Sequence, residues 1–287
     1  MASPAATKAS DKQQALKKLT GLLQKDYGKS LPKLKLPVVE TMLFAVCLED
    51  NNWELAETGY QKLLKSFFDL NEIRVSSVGE LEATLSGLNH ADWKGLRIRS
   101  ILRFVFESTY SFDFEKLIKL NLESAQKRLR KIEFISPFIT NFTLQQCLGC
   151  HVVCLDEYSL RAAKHLGIVP PDADIEAASE FLKGGLKKAD TFGFSHLLRC
   201  LATDPKFTAR LATSPEETDF DVLKVAERYA ALKLPPKKTA AKKAPKAPAP
   251  PKAKKSAGTA AAKTSVKAAP KGKSAPGKSD KPLKKKK

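Results

Sequence analysis

The run CLGCHVVCLDEYSLR, Cys147 to Arg161, gathers most of the residue types that could do chemistry. Cys147, Cys150 and His151 have the spacing of a covalent haem attachment site, with a third thiol at Cys154 and a carboxylate at Asp156. A haem site, a metal centre, a nucleophile with its base, and small interior thiols around something else are the competing readings. Covalent haem attachment follows export, and the N-terminal MASPAATKASDKQQ has no apolar segment of the kind a secretory signal needs. A four-ligand zinc site wants a second pair of ligands at comparable spacing, and the remaining cysteines, Cys47 and Cys200, each stand alone. Buried thiols are therefore expected, with no metal and no cofactor. Five cysteines in a chain of 287 residues do not read as a disulfide framework, and no stretch approaches the ~20 apolar residues of a membrane span. The expectation is a soluble intracellular protein, cytoplasmic and nucleoid-associated, or nuclear in a eukaryote.

The elements that must position these residues are helical. Val39, Met42, Leu43 and Val46 fall on one helix face, as do Ala56, Tyr60, Leu63, Leu64 and Phe67. Ile98, Ile101, Leu102 and Val105 form a third stripe; Val222, Val225, Ala226 and Tyr229 form a late one. Asp50, Ser77 and Asp113 are candidate N-caps, and Gly167 ends a helix before Pro170 and Pro171. Ser136 followed by Pro137 opens another helix. No alternating strand with a hairpin turn is present, so roughly ten short helices are expected.

Charge divides the chain. The formal net charge is +19, and residues 235–287 carry 18 lysines and one acid, Asp280, leaving 32 basic and 30 acidic residues in 1–234. The tail holds Lys, Ala and Pro with no aromatic residue and no Ile. Such a composition cannot bury enough apolar surface to offset the entropy of ordering. It is expected to be disordered and to neutralise phosphates, with Lys242, Lys243, Lys254 and Lys255 among its contacts. Its sequence looks like the C-terminal tails of linker histones and some bacterial nucleoid proteins. A solubilising tail, or one that binds acidic proteins or a membrane surface, is the alternative. In the folded part, Arg97, Arg99 and Arg103, with Lys127, Arg128, Arg130 and Lys131, read as a solvated helix face or a phosphate-facing surface.

The order of the pieces resembles the helix-hairpin-helix glycosylases, the endonuclease III-like enzymes of base-excision repair. The pieces are an early apolar helix (LPVVETMLFAVCLEDNNW), an amphipathic one, the Arg97 helix, a basic helix, a break at Ser136-Pro137, another helix and LDEYSLR. The family's hairpin reads L-P-G-V-G-x-K, and eighteen residues after its lysine comes the aspartate of V-D-T-H-x-x-R. Here LDEYSLR lies over the second motif, with Asp156 for the aspartate and Arg161 for the arginine. The same register puts Phe138 in the lysine position, makes IEFISPF, 132–138, the hairpin, and matches Gly149 to a turn between helix and connector.

The resemblance implies an all-α, two-lobed helical fold with a degenerate hairpin and a disordered basic tail. It divides the chain into 1–29 (extension and first helix), 30–234 (endonuclease III-like domain) and 235–287 (tail). It also implies what is missing. Phe134 and Ser136 occupy the hairpin's glycine positions, where backbone amides would otherwise approach a phosphate closely. Phe138 cannot act as the amine nucleophile; Lys131 is the nearby substitute. Asn51 and its neighbours replace the segment that fills the gap left by a flipped base. Tyr158 replaces the histidine of the aspartate motif, and Cys200 alone cannot hold the family's four-cysteine cluster.

The expected function is double-stranded DNA binding, or binding of another nucleic acid, with catalysis lost or reduced. Ser136, Pro137, Phe138, Asn51, Arg128, Lys131, Arg161 and the tail lysines are the expected contacts, and Asp156 is the catalytic candidate or merely a helix cap. An active monofunctional glycosylase using Asp156, and a scaffold module tethered to nucleic acid, are the alternatives.

Overall fold

The computed structural model describes residues 9–212 and 220–234. Thirteen α-helices are present among them. The first lobe contains α2 (Val38–Leu48), α3 (Trp53–Ser66), α4 (Leu70–Val75), α5 (Val78–Thr84), α6 (Ala91–Thr109), α7 (Leu122–Leu129) and α8 (Pro137–Leu148). The second contains α1 (Ala9–Tyr27), α9 (Glu157–His165), α10 (Ile175–Lys183), α11 (Thr191–Thr203), α12 (Pro205–Ala212) and α13 (Val225–Lys233). No helix among the described residues is long and apolar enough to cross a membrane.

Helix α2 is the axis of the first lobe. All its residues but Glu40 are buried, the pattern of a helix surrounded by others. Helices α3, α6 and α8 pack on it. Of the expected stripes, Val39, Met42, Leu43, Val46, Ile98, Ile101, Leu102 and Val105 are all in this core. Glu40 accepts from the Tyr60 hydroxyl at 2.8 Å, which satisfies the phenol at the edge of the apolar face.

The second lobe joins the two ends of the described chain. Leu16, Leu19 and Leu23 of α1 lie in one core with Leu197, Leu198 and Leu201 of α11 and Val225 and Tyr229 of α13. The expected division at residues 29/30 therefore separates no packing unit. Gly167 ends α9 with φ 66°, and a Cβ there would sit 1.3 Å from an Arg228 nitrogen. The left-handed backbone favours glycine, whereas the Arg228 side-chain end could move aside.

Capping follows the sequence in part. Ser77 forms a capping box with Glu80, and Ser136 accepts from the Ile139 amide ahead of Pro137. Asp113 accepts from the Glu115 amide at the head of the 3-10 segment Glu115–Lys119. Asp50 is not a cap. Asn52 caps α3, accepting from the Leu55 amide at 2.8 Å, because Asp50 is turned into the left-handed region at φ 60° and faces the second lobe.

Candidate functional site

The hairpin is built between α7 and α8. Ile132 is buried in the first core, while Phe134 stands at the turn with φ 60° and half its surface exposed. A left-handed turn thus persists although a bulky residue fills it. The Arg97 side chain donates from Nε to the Phe134 carbonyl at 3.1 Å and pairs with Glu49. Burial pushes the Glu49 carboxyl above its ordinary range, and Arg97 opposes this. Beside the turn lies a cleft of about 680 Å³ bounded by Lys131, Phe134, Ser136 and Asn141, with Glu176 and Glu180 across from them. Lys131 is in the turn, past the end of α7, and exposed.

Helix α8 ends at Gly149, in the left-handed region at φ 59°. From there an extended connector passes between the lobes. Val153 and Leu155 face the second core and Cys154 faces the first, the two-residue alternation of extended chain. Cys154 hydrogen-bonds Gln145 through sulfur at 3.4 Å and takes a backbone bond to Ser195. Burial raises the thiols of Cys47 and Cys154 to about 12 and moves those of Cys147, Cys150 and Cys200 upward. None of the five is poised as a thiolate nucleophile. Cys200 lies 3.6 Å from His196, whose imidazole burial holds down at about 4, so this pair is no thiolate–imidazolium couple.

The connector delivers Asp156 to the start of α9, where its side chain has no exposed surface. One carboxylate oxygen accepts from the Ser159 amide at 2.8 Å, as an N-cap. The other accepts from the Asp50 amide and from Arg199 Nε, each at 3.2 Å. Arg199, on α11, is buried, and its guanidinium lies 4.7 Å from the centre of the Phe138 ring. Phe138 is itself fully buried. Asp156, Arg199 and Phe138 thus close the place where the register puts an aspartate and a lysine.

The loop after α2 is tied just as fully. Lys94, buried at the start of α6, donates from Nζ to the Val46 and Glu49 carbonyls, both at 2.7 Å. Asn51 donates to the Cys47 and Glu49 carbonyls and accepts from the Asn89 amide. These bonds satisfy the carbonyls left open at the end of α2. Burial lowers the Lys94 ammonium pKa. Asp50 keeps a partly exposed carboxyl that burial, then the nearby Asp156 charge, raises above the usual range.

Two expectations are corrected by burial. The Asn51 and Phe138 side chains have 1% and 0% of their surface exposed, so neither side chain can meet DNA. Ser136 is buried too, its hydroxyl held by the Ile139 amide, while Pro137 is half-buried. Arg128 lies over the Phe114 ring at 5.0 Å, and Arg161 pairs with Glu157 and lies 5.7 Å over Tyr158. Lys242, Lys243, Lys254 and Lys255 lie outside the described residues. Sequence reasoning missed Arg199 and Lys94. An arginine among Phe194, Leu197, Leu198 and Leu201 was the available signal, since a buried charge requires a partner.

No protein-family model and no curated protein matches the chain in sequence. Among solved structures, a non-covalent endonuclease III–DNA complex is similar with a TM-score of 0.52 and 14% identity over 71% of this chain and 95% of that one. A trapped endonuclease III–DNA covalent intermediate, an estranged-adenine complex, is similar with a TM-score of 0.50 and 13% identity over 66% and 85%. The all-helical fold is that of the endonuclease III-like proteins.

Proposed function

We propose that this protein binds DNA through an endonuclease III-like fold whose base-excision chemistry is lost or strongly reduced. The observation that carries the reading is the closed position of Asp156, with three donors on its carboxylate and no exposed surface. A carboxylate that assists water or steadies a sugar cation must touch the reacting atoms. This one is neutralised by Arg199, and Phe138 fills the space where an amine nucleophile would stand. DNA binding is supported by the fold, by the exposed Lys131 beside the hairpin, and by the lysine-rich sequence after residue 234. Two of the solved structures that the chain resembles are themselves complexes of endonuclease III with DNA.

The test uses the full chain with intact and lesion-containing duplexes. Salt-dependent binding without base release is expected. Borohydride is expected to trap nothing, since no amine occupies position 138. Base release that Asp156→Asn abolishes would overturn the reading in favour of a monofunctional glycosylase.

A further inference from the structure

We infer that Tyr158, His90, Trp93 and Phe134 form a stacking track for unpaired DNA nucleotides, with Arg161 and Arg97 fixed along it; this deepens the DNA-binding reading and rests on it. The four rings come from three elements, linked by two side-chain contacts, a backbone bond and helical spacing. Arg161 lies 5.7 Å over the Tyr158 ring. Tyr158 meets His90 edge to face, centroids 6.3 Å apart. The His90 carbonyl accepts from the Trp93 amide at 3.2 Å at the head of α6. Trp93 and Arg97 are four residues apart on that helix, hence on one face. Arg97 then holds the Phe134 carbonyl.

The rings are open to solvent where core aromatics are not. Trp93 is 50% and Phe134 51% exposed, His90 is exposed and Tyr158 half-buried. Singly exposed aromatics need no explanation, but four in sequence along two arginines are not scatter. Backbone strain adds to this: His90 has φ 55° and Phe134 φ 60°. A glycine would hold either turn without the clash that a Cβ brings there. Strain of this kind persists where the surroundings over-determine it, and it gathers at ligand clamps.

The chemistry selects the occupant. Every base offers a π-face, so aromatic rings beside cations bind a single strand with little regard to sequence. Bases within a duplex are stacked on both faces, so rings on a rigid surface reach only bases that are unpaired. Arg97, committed to Glu49, fixes the Phe134 turn. The cleft beside Phe134 has room for a base, with the carboxylates Glu133, Glu176 and Glu180 on its walls and Lys131 at its edge.

The test uses the full chain, oligothymidine, and a blunt duplex of equal length, at high salt so that phosphate contacts are suppressed. Of the two tryptophans, Trp53 is packed among Phe44, Phe142 and Phe192, so a change in indole emission on the surface reports Trp93. Oligothymidine should quench that emission in the parent and not in Trp93→Phe. Phe134→Ala and Tyr158→Ala should each weaken oligothymidine binding by roughly tenfold to a hundredfold, the range for losing one stacked base, with little change on the duplex. Unaltered circular dichroism and melting keep the comparison valid. Absence of quenching in the parent would overturn the inference, as would parental oligothymidine affinity in Trp93→Ala/Phe134→Ala. Duplex binding with no gain for the single strand sinks this inference alone, whereas failure to bind either DNA at low salt, where phosphate contacts operate, sinks the DNA-binding reading as well.

Discussion

Asp156 shows how one residue can serve a fold at several points at once. Its carboxylate caps α9, receives the amide of Asp50 from the first lobe and pairs with Arg199 of the second. It is therefore a joint between lobes. Removing one member of a buried pair leaves the other charge uncompensated, at a cost of about 3–5 kcal/mol. Arg199→Met is expected to lose that much in urea unfolding. Asp156→Asn keeps the cap, and the sequence alone suggests an intact fold; the structure replaces that expectation with destabilisation towards the lower end, because Arg199 loses its counter-charge. The double variant should recover much of the loss, since no orphan charge remains. Equal stability of Asp156→Asn and parent would contradict the joint.

Asp50 gives a pH dependence with a definite sign. Its folded pKa is raised, mainly by burial and then by Asp156. The folded state therefore binds more protons than the unfolded one across the window between the ordinary aspartate value and the raised one. Stability falls as pH rises through that window. Asp50→Asn removes the buried charge, and Asn also tolerates the left-handed backbone. The variant is expected to melt higher than the parent at neutral pH. Its advantage should shrink as pH falls through that window and be gone below about 4, the ordinary aspartate pKa. A constant advantage from acid to neutral pH would leave only the backbone effect.

At the scale of elements, the α7–α8 hairpin sets stability against surface chemistry. Ser136 and Pro137 start α8 well, so Ser136→Ala should cost about 1 kcal/mol in thermal melting. Phe134 works the other way. Its φ of 60° suits glycine, and its ring is half exposed, so little buried contact opposes the change. Phe134→Gly should leave melting unchanged or raise it slightly, even as it removes a ring from the proposed track. A fall of several degrees would mean that the ring is a packing element. The terminus of α2 is closed by Lys94 and Asn51 in the same spirit, with buried donors on carbonyls that have no helical partner.

For the molecule as a whole, charge and fold are separable. Residues 1–234 carry a formal charge near zero, and 18 lysines follow. If those lysines occupy even six phosphates, the log–log salt slope of duplex affinity should be about −5, at ~0.9 per phosphate. Deleting 235–287 should flatten the slope and weaken low-salt binding by orders of magnitude. An unchanged slope after deletion would move the contact to the helical lobes. Borohydride trapping of the parent would show that another amine, Lys131 being the exposed one beside the hairpin, has taken over.

Helical period, caps and order of elements are local properties, and the sequence by itself determined them. The stripes of α2 and α6, the Ser136-Pro137 start of α8 and the cap at Asp156 all depend on residues within a turn or two of each other. The left-handed turn at Phe134, by contrast, was carried by no local signal, since a bulky residue stands where glycine is the usual occupant. What only the tertiary structure decided depends on partners distant along the chain. Arg199 meets Asp156 across 43 residues and Asp50 meets it across 106, and no periodicity encodes either pairing. The same holds for Asn51, which the resemblance set against DNA and whose side chain instead accepts from the Asn89 amide 38 residues on. Whether a polar residue faces solvent or a buried counter-charge is settled when two lobes close on each other, and that closure gave the Asp156 carboxylate the Asp50 amide and Arg199 as partners.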